Sequence, residues 1–388
     1  MTDITPSDEQ FAAIKEIVKW YRGGPNTPQV FYLAGYAGTG KSTIAKFVID
    51  QLATKAGFNV CTAAFTGKAA NVLRQKGNPN ASTFHSGMYM PMVDKDGNVH
   101  FTLQEDAPFA DADLILGDEC SMINEELGCD AESFGKKILV MGDPGQLPPV
   151  SGAGYWTNRE PDVFLDKVHR QALDSPILRI ATSLRLGIMP PEGEWTDGAG
   201  HKSRVIRTNP KLTADWLYRE DTQAICGTHV NRWGHTRRMR TRRGYTSHLP
   251  QEGELVMCCR NDKELGVFNG SFGTMLNDAT PITRRGGKGE ILIDVKMDDL
   301  FSPIKLLRTH PYLFQQHFDP TVQKPPKLSR SVQEFDWSYI LTCHKAQGSE
   351  WEDVTVLDDG GVFRQDQWRW RYTAATRASK RLTFLRRD

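Results

Sequence analysis

The chain has 388 residues, which is long enough for two or three domains with a sizeable buried core. Its 48 basic and 47 acidic residues give a net charge of +1, which excludes a globally basic nucleic-acid coat but permits a local basic groove. Seven cysteines without a Cys-x-x-Cys pair argue against a metal site and favour free thiols in a reducing cytosol. The polar N-terminus and the lack of a long apolar run predict a soluble, intracellular protein without a membrane segment.

The first predicted helix begins near Ser7, and Phe11, Ile14 and Val18 follow at helical spacing. Ser7 and Gln10 fit a capping box, in which each side chain bonds the backbone N–H of the other residue. Gln10 therefore has a structural role available, whatever other role it has.

Residues 35–42, GYAGTGKS, fit the phosphate-loop pattern, with a strand-like run before them and a helical pattern after them. The glycines let backbone N–H groups and a helix N-terminus approach an anion closely. Lys41 would reach the β- and γ-phosphates, and Ser42 would ligate Mg²⁺. The sequence therefore predicts a nucleoside triphosphate site. The loop residues predicted to contact the nucleotide are Gly38, Thr39, Gly40, Lys41, Ser42 and Thr43.

Apolar, strand-like runs at 59–64, 113–116 and 137–140 alternate with helical segments. This spacing predicts a doubly wound parallel sheet that binds ligands at the carboxyl ends of its strands. The pattern changes at 88–107, where two strand-like segments flank a turn near 96–97 and predict an inserted β-hairpin.

Two carboxylates, Asp118 and Glu119, follow one of these strand-like runs directly. This is where a Walker B Asp holds Mg²⁺, and Glu119 would then polarise the attacking water as a general base. Gln146 follows the next run, and its neutral amide could bond the γ-phosphate and report its loss. An isolated Asp-Glu pair is more often a surface turn, but its position beside a phosphate loop favours a catalytic role.

The second half of the chain predicts a second α/β domain that carries an insertion. We expect helix at 160–187 and loop at 188–203. Strands of the second domain are predicted at 224–226 and 354–357, and short strands between them predict a small inserted β-barrel.

A dense basic patch precedes the predicted barrel. Charge runs often form a solvated helix face without a specific ligand, so both interpretations stay open. The patch consists of Arg232, Arg237, Arg238, Arg240, Arg242 and Arg243.

Eight segments in order resemble the motifs of superfamily 1 helicases, specifically of the RecD/Dda-like branch. The resemblance covers nearly the whole chain. The segments are 35–43 (motif I), 65–70 (Ia), 82–86 (Ib), 118–122 (II), 142–150 (III), 168–171 with 175–177 (IV), 341–351 (V) and 371–378 (VI).

The resemblance implies two RecA-like α/β domains with ATP between them. It implies a first domain at 1–158, with the hairpin 88–107 at the place of a strand-separating pin. The second RecA-like domain would comprise 159–235 and 336–388, and an SH3-like β-barrel would be inserted at 236–335.

The resemblance also implies roles for individual residues. Arg170 and Arg377 would act as arginine fingers on the γ-phosphate. Gln10 matches the adenine-reading glutamine of the family, with the capping box as the open alternative. The implied contacts to DNA phosphates and sugars are Thr66, Thr83, His85, Thr342 and His344.

Two aromatic residues, Phe84 and Trp351, could stack on bases, although a buried core position is the more frequent place for such side chains. The implied protein is an ATP- and Mg²⁺-dependent helicase that moves 5′→3′ on single-stranded DNA and opens tailed duplexes. We expect a monomer in the cytoplasm of a bacterial cell or phage-infected host, with single-strand-binding and replisome proteins as candidate partners.

A second class of function stays open. The chain could be an ATP-binding DNA-clamp subunit of a recombination or exonuclease complex, without unwinding activity of its own. A metal nuclease would need a separate carboxylate cluster, and we find none outside the ATPase motifs.

Overall fold

The computed structural model describes residues 5–53, 57–75, 77–93, 99–148, 154–167, 174–262, 265–283, 289–298, 300–329 and 331–387. The chain divides into two compact units, Met1–Ile188 and Met189–Asp388. The first unit therefore includes 159–188, the segment that we predicted to begin the second domain. No helix in these ranges is both long and apolar enough to cross a bilayer.

The first unit alternates strands and helices, as the sequence pattern predicts. Its helices are α1 (Asp8–Arg22), α2 (Lys41–Leu52), α3 (Gly67–Gln75), α4 (Phe84–Met88), α5 (Glu125–Ser133) and α6 (Pro176–Arg185). Its strands are β1 (Val30–Gly35), β2 (Val60–Ala64), β3 (Ser82–Thr83), β4 (Tyr89–Val93), β5 (Val99–Leu103), β6 (Leu114–Asp118), β7 (Lys137–Gly142) and β8 (Val163–Leu165).

The main sheet of this unit has the order β3-β2-β6-β7-β1-β8, and neighbouring strands are parallel. Both faces are buried, which explains why the strands are continuous apolar runs. Along β1, Phe31 and Leu33 pack on the face covered by α1 and α2, whereas Tyr32 and Ala34 pack on the opposite face with α4 and α5. The predicted doubly wound parallel sheet is confirmed.

The inserted segment at 88–107 contains the antiparallel pair β4 and β5. Tyr89 lies opposite Leu103, and Val93 lies opposite Val99. The predicted turn at 96–97 lies outside the described residues.

The prediction of continuous helix at 160–187 is wrong for its first part. The short strand β8 adds to the edge of the sheet beside β1, and α6 begins only at Pro176. Three residues of edge strand are too short to show a period-2 pattern, so tertiary pairing decided this segment.

The second unit contains a second sheet and an insertion. Its helices are α7 (Pro210–Leu217), α8 (His229–Arg242), α9 (Tyr312–Gln316), α10 (Cys343–Ala346) and α11 (Gln367–Ala375). Its strands are β9 (Gly193–Thr196), β10 (Lys202–Arg207), β11 (Gln223–Cys226), β12 (Leu255–Cys258), β13 (Phe272–Met275), β14 (Thr280–Pro281), β15 (Ile291–Met297), β16 (Ile304–His310), β17 (Gln333–Trp337), β18 (Ile340–Thr342), β19 (Trp351–Leu357) and β20 (Ala378–Arg386).

The sheet of the second unit has the order β18-β11-β19-β20-β10-β9, and only the edge strand β9 is antiparallel to its described neighbour. The predicted loop at 188–203 is therefore wrong where β9 and β10 form a hairpin. Because β9 is an exposed edge strand, it lacks the apolar alternation that would have revealed it.

The insertion between β11 and β18 forms a closed ring of five strands. The strands pair in the order β13-β12-β17-β16-β15, and β15 pairs again with β13, which closes the ring. Its core is continuous with that of the parallel sheet, since Val256 and Trp337 of the ring belong to the same buried cluster as Ala224 and Ile340.

Helix α8 is held to the ring by buried ion pairs. Arg240 donates to both carboxylate oxygens of Glu254, at 2.6 and 2.9 Å. Arg232 pairs with buried Asp336, which also contacts His317 Nε2 at 2.8 Å. Burial alone raises the pKa of Asp336, but Arg232 and His317 together lower it to about 2. Breaking such a pair by removing one partner costs about 3–5 kcal/mol, because a charge is left buried and unpaired.

The same helix carries a buried titratable group. His235 is 6% exposed, and its Nδ1 lies 2.8 Å from the Tyr218 hydroxyl. Burial, with the positive charges of Arg238 and Arg387, lowers the pKa of His235 to about 4.

We expect the free energy of unfolding to fall as pH is lowered from about 6.5 to 4, because only the unfolded state binds the His235 proton in that window. The His235 contribution is about 3 kcal/mol, from about 1.4 kcal/mol per pKa unit. Urea unfolding at several pH values measures this. A His235→Gln variant should lose that part of the pH dependence, and an unchanged dependence would contradict the assignment.

Candidate functional site

The phosphate loop connects the carboxyl end of β1 to the first turn of α2. Gly38 and Gly40 have φ values of +80° and +82°, a backbone region that a side chain would strain. Thr39 is 1% exposed and donates from Oγ1 to the Tyr36 carbonyl at 2.9 Å. The loop is therefore a defined structure built on its glycines and one buried hydroxyl.

Lys41 lies against this loop. Its Nζ donates to the carbonyl oxygens of Gly35 at 2.6 Å and Tyr36 at 3.1 Å. The ammonium is thus held at the phosphate loop, where its positive charge would face a bound phosphate.

Gln10 makes both the capping interaction and a contact to the loop. Its backbone N–H bonds Ser7 Oγ at 3.3 Å, and its Oε1 accepts from the Ser7 N–H at 3.1 Å, so the capping box is confirmed. At the same time its Nε2 donates to the Thr39 carbonyl at 3.1 Å. One side chain therefore caps α1 and also supports the phosphate loop, whereas adenine recognition by Gln10 stays a prediction.

The parallel sheet brings the carboxylate motif to the same edge as the phosphate loop. β6 ends at Asp118, β7 lies beside it, and β1 lies on the other side of β7. Two strand spacings separate β6 and β1 by about 10 Å. Because these strands are parallel, their carboxyl ends meet at one edge, where Asp118 and the loop face a common ligand position.

The oxygen groups at this edge suit Mg²⁺ bound with a nucleotide. Ser42 offers an exposed hydroxyl and Asp118 a carboxylate, and Mg²⁺ takes one or two such ligands together with phosphates and waters. Among the described residues, no cluster of three or more His, Cys, Asp or Glu side chains forms a self-sufficient metal cage. The donor set therefore fits a cation that arrives with its phosphates.

Glu119 has a strained backbone that the sequence did not reveal. Its φ of 51° and ψ of 44° lie in the left-handed region, which is uncommon for a residue other than glycine. Its N–H donates to Asp118 Oδ1 at 2.9 Å, so one carboxylate fixes the peptide that carries the other. Strain of this kind costs about 1–3 kcal/mol and is frequent at functional sites.

Asp143 organises the neighbouring loop and was missed by sequence reasoning. It follows β7, is 4% exposed, and accepts the Gly145 N–H at 2.9 Å. Its carbonyl accepts the Gln146 N–H at 3.1 Å, which places Gln146 at the same sheet edge, half-buried. The Asp-Pro-Gly sequence, a turn signal, could have identified this residue.

Three threonines predicted to contact nucleic acid cap helices. Thr66 accepts the Ala69 N–H at 3.1 Å, Thr83 accepts the Ser86 N–H at 3.1 Å, and Thr342 accepts the Lys345 N–H at 3.4 Å. Each follows or ends a parallel strand, so each helix N-terminus lies at the carboxyl edge of its own sheet. Capping explains the residue type, and contact with nucleic acid stays a prediction.

The two predicted DNA-contacting histidines are neutral at physiological pH. Burial lowers the pKa of His85 and of His344 below the ordinary value. His85 keeps part of its side chain in solvent while neighbouring residues desolvate the rest, and His344 is half-buried beside Phe363, with ring centroids 5.8 Å apart. Either ring can exchange hydrogen bonds with a sugar or phosphate, but neither supplies a fixed positive charge.

The prediction that Phe84 stacks on a base is wrong. Its side chain is fully buried and meets Phe109 edge-on, with ring centroids 5.8 Å apart, and Trp156 at 5.7 Å. It fills the core beneath α4, so no base can reach its face. Trp351 is half-buried and packs edge-on against Phe272 at 5.9 Å.

Arg377 is bound within the second unit. It is 5% exposed, and its three guanidinium nitrogens donate to the Thr373 carbonyl at 3.1 Å, the Ser349 carbonyl at 3.3 Å and Thr376 Oγ1 at 3.2 Å. Motifs V and VI are thereby joined through one side chain. Arg170, the other predicted arginine finger, lies outside the described residues.

Two family models match the chain. Residues 5–203 match the AAA domain, and residues 338–385 match the UvrD-like helicase C-terminal domain. The ATP-dependent RecD2 DNA helicase of Deinococcus radiodurans is 28% identical over 369 residues, which cover 90% of this chain and 46% of that protein. The ATP-dependent DNA helicase dda of Enterobacteria phage T4 is 30% identical over 164 residues, which cover 39% of this chain and 37% of that one. The chain spans less than half the length of these curated relatives.

Solved structures share the fold. Pif1 helicase from Candida albicans superposes with a TM-score of 0.54 at 18% identity, covering 98% of this chain and 94% of that one. Bacteroides Pif1 bound to ssDNA gives 0.55 at 17% identity, covering 98% and 92%. The resemblance to superfamily 1 helicases of the RecD/Dda-like branch is confirmed by the similarity to RecD2 and dda. The chain belongs to the AAA domain family.

Proposed function

We propose that the protein is an ATP- and Mg²⁺-dependent DNA helicase that moves 5′→3′ on single-stranded DNA and separates duplex DNA. The observation that carries this proposal is the meeting of phosphate loop, Asp118, Glu119 and Gln146 at one edge of a parallel sheet. The curated relatives named above are ATP-dependent DNA helicases, and a Bacteroides Pif1 structure contains ADP-AlF₃ and ssDNA.

Each group at this edge has a defined part in phosphoryl transfer. Lys41 holds the β- and γ-phosphates, and Ser42 and Asp118 would hold a Mg²⁺ ion, which would supply positive charge to the phosphate oxygens. Glu119 takes a proton from the attacking water, and its fixed backbone orients it for that step. Gln146 bonds the γ-phosphate and loses this partner after hydrolysis.

Two arginines are proposed to act as arginine fingers on the γ-phosphate. Arg377 can offer the γ-phosphate a guanidinium fork if it exchanges its carbonyl partners, such as Ser349, for phosphate oxygens. Arg170 would supply a second fork. Exchange of these bonds on nucleotide binding would link the state of the triphosphate to motifs V and VI, which contain Ser349 and Thr373.

Helix N-termini at the carboxyl edges support a path for single-stranded DNA. Thr66, Thr83 and His85 in the first unit, with Thr342 and His344 in the second, present hydroxyls and imidazoles beside these N-termini. Such groups bind phosphates and sugars without reading sequence. The hairpin of β4 and β5 would separate the strands, and the five-stranded ring would be the SH3-like domain.

The 5′→3′ direction is proposed because the chain resembles the RecD/Dda-like branch. The alternative, an ATP-dependent clamp without unwinding activity, predicts tight DNA binding with negligible turnover. The presence of Lys41, Asp118 and Glu119 together favours a hydrolysing motor, since a clamp that only binds ATP has no need of a general base.

We expect Glu119→Gln to lower ATP turnover by about 10²- to 10⁴-fold, because a neutral amide cannot accept the proton of the attacking water. ATP affinity should stay at the wild-type level, since the phosphate loop is unchanged. A phosphate-release assay with a nucleotide-binding titration measures both. Glu125→Gln, which changes an exposed carboxylate in the first turn of α5, is the matched control. Turnover that survives in Glu119→Gln would contradict the general-base assignment.

Gln10→Ala should weaken ATP binding and lower stability, because it removes both the capping box and the bond to the Thr39 carbonyl. Ser7→Ala separates the two effects, since it removes a capping interaction and leaves the Thr39 contact in place. Both variants should lose about 1 kcal/mol of stability. Titration with a fluorescent ATP analogue and thermal unfolding provide the readouts. Equal ATP affinities in the two variants would show that the Thr39 contact does not support nucleotide binding.

Unwinding of matched duplexes with a 5′ or a 3′ single-stranded tail tests the motor and its direction. We expect ATP-dependent strand displacement from the 5′-tailed duplex alone, and none with Lys41→Ala. Preference for the 3′ tail would contradict the proposed direction. ATP hydrolysis that DNA does not stimulate would contradict the helicase proposal itself.

A further inference from the structure

The arginines of α8 fall into two sets with different environments. Arg232 and Arg240 are 5% and 2% exposed and form ion pairs with buried carboxylates. Arg237, Arg238 and Arg242 are exposed, and within the described part of the chain no carboxylate lies at ion-pair distance from them. The inner set is structural, whereas the outer set is concentrated positive charge without a counter-charge.

The outer arginines line a surface cleft of about 390 Å³, together with Gly234 and Thr241. Arg237 is fixed at one side by donating to the His317 carbonyl. Arg238 and Arg242 both lower the pKa of Tyr218 against the effect of burial, which raises it, so both guanidinium groups lie near that phenol. The cleft is therefore a feature of the second unit in which the Arg237 guanidinium is fixed by a hydrogen bond.

Two features of this face are unfavourable for the helix itself. Arg238 and Arg242 are four residues apart, a spacing at which like charges repel. Gly234 is in the middle of α8, where glycine is a poor helix former. A Cβ added at Gly234 would meet no atom within 4 Å, so packing inside the chain does not require glycine there. A ligand that approaches the helix backbone would explain both features.

We propose that this cleft is a binding site for the phosphodiester backbone of DNA, with Arg238 and Arg242 on the phosphates and Gly234 giving the strand close access to the helix. The identification of the polyanion as DNA rests on the proposed function. Planar guanidinium groups match phosphate oxygens in pairs.

The lining favours nucleic acid over an acidic protein partner. Among the described residues, those that line the cleft are arginine, threonine and glycine, and none of them is an aromatic or aliphatic anchor. Protein interfaces depend on such apolar anchors, whereas interfaces with DNA are more polar and far more positively charged.

The cleft is separate from the candidate strand path at the carboxyl edge of this sheet. β11 pairs in parallel with β18, and Cys226 lies opposite Thr342, so α8 begins near that edge. A helix rises 1.5 Å per residue, so Arg238 and Arg242 lie about 14 and 20 Å along α8 from His229. A strand held there would be a second contact, additional to the one at Thr342 and His344.

The salt dependence of DNA affinity tests the site. Each lost phosphate contact makes the slope of log K against log salt less steep by about 0.7 on single strands and about 0.9 on duplex. We expect Arg238→Gln/Arg242→Gln to reduce the slope by about 1.4 or about 1.8, measured by fluorescence anisotropy with single-stranded and duplex oligonucleotides. The form of DNA that shows the loss is the form that occupies the cleft.

Lys202→Gln/Arg207→Gln is the matched control, because it removes the same charge from exposed positions on β10. An unchanged slope in the α8 variant, or an equal loss in both variants, would overturn the site. Poly-glutamate that displaces the labelled DNA as effectively as unlabelled DNA of equal charge would also overturn the site, in favour of an acidic protein partner. Wild-type protein whose ATP turnover DNA does not stimulate would contradict the proposed function instead.

Gly234→Ala gives an independent test, because we expect it to raise thermal stability and to lower DNA affinity. Alanine should raise the midpoint of thermal unfolding, since it is the better helix former at an open position. It should also weaken DNA binding, because its methyl group occupies the approach to the helix. A variant that is more stable and binds DNA as well as wild type would overturn the role of Gly234.

Discussion

The parallel alignment of β1, β6 and β7 is the constraint on which the candidate active site depends. Strands that run in one direction deliver their following loops to one edge, so groups more than 100 residues apart meet there without any direct bond between them. Burial of both sheet faces makes this alignment rigid, because a shift of one residue would move Leu33 from the side packed by α1 and α2 to the side packed by α4 and α5, where the close packing does not fit it. The candidate catalytic residues are thus positioned by the hydrophobic core rather than by a polar network.

Local hydrogen bonds then hold in position the residues that the sheet brings together. Gln10 caps α1 and bonds the phosphate loop, and Asp118 holds the strained peptide of Glu119. The threonines at the helix N-termini also combine two roles, since the hydroxyl that caps the helix lies at the sheet edge where a phosphate would bind. Stability and function therefore share residues, and a change at one of these positions affects both.

Helix α8 shows how burial separates residues of one type into different roles. A guanidinium taken out of water needs a carboxylate and further acceptors, and Arg240 has Glu254 together with two carbonyls. The exposed arginines two or three residues away are solvated and have no such requirement. Arg238 and Arg242 repel each other across one turn of the helix, and no carboxylate among the described residues pairs with them, which is the physical basis for assigning them a ligand.

The sequence by itself determined the alternating strands and helices of both units, the phosphate loop and the position of Asp118 and Glu119. These follow from short-range periodicity and from spacing along the chain, which need no knowledge of neighbours. The sequence could not exclude Phe84 from the nucleic-acid site or find the edge strands β8 and β9. It also could not show which arginines of α8 are buried and which are exposed. Each of these outcomes depends on which distant segments pack against the residues concerned. Burial of Phe84 by Phe109 and Trp156, and of Arg240 by Glu254, exists only once distant segments meet. Tertiary structure alone decided those roles, since solvent exposure is a property of the folded chain.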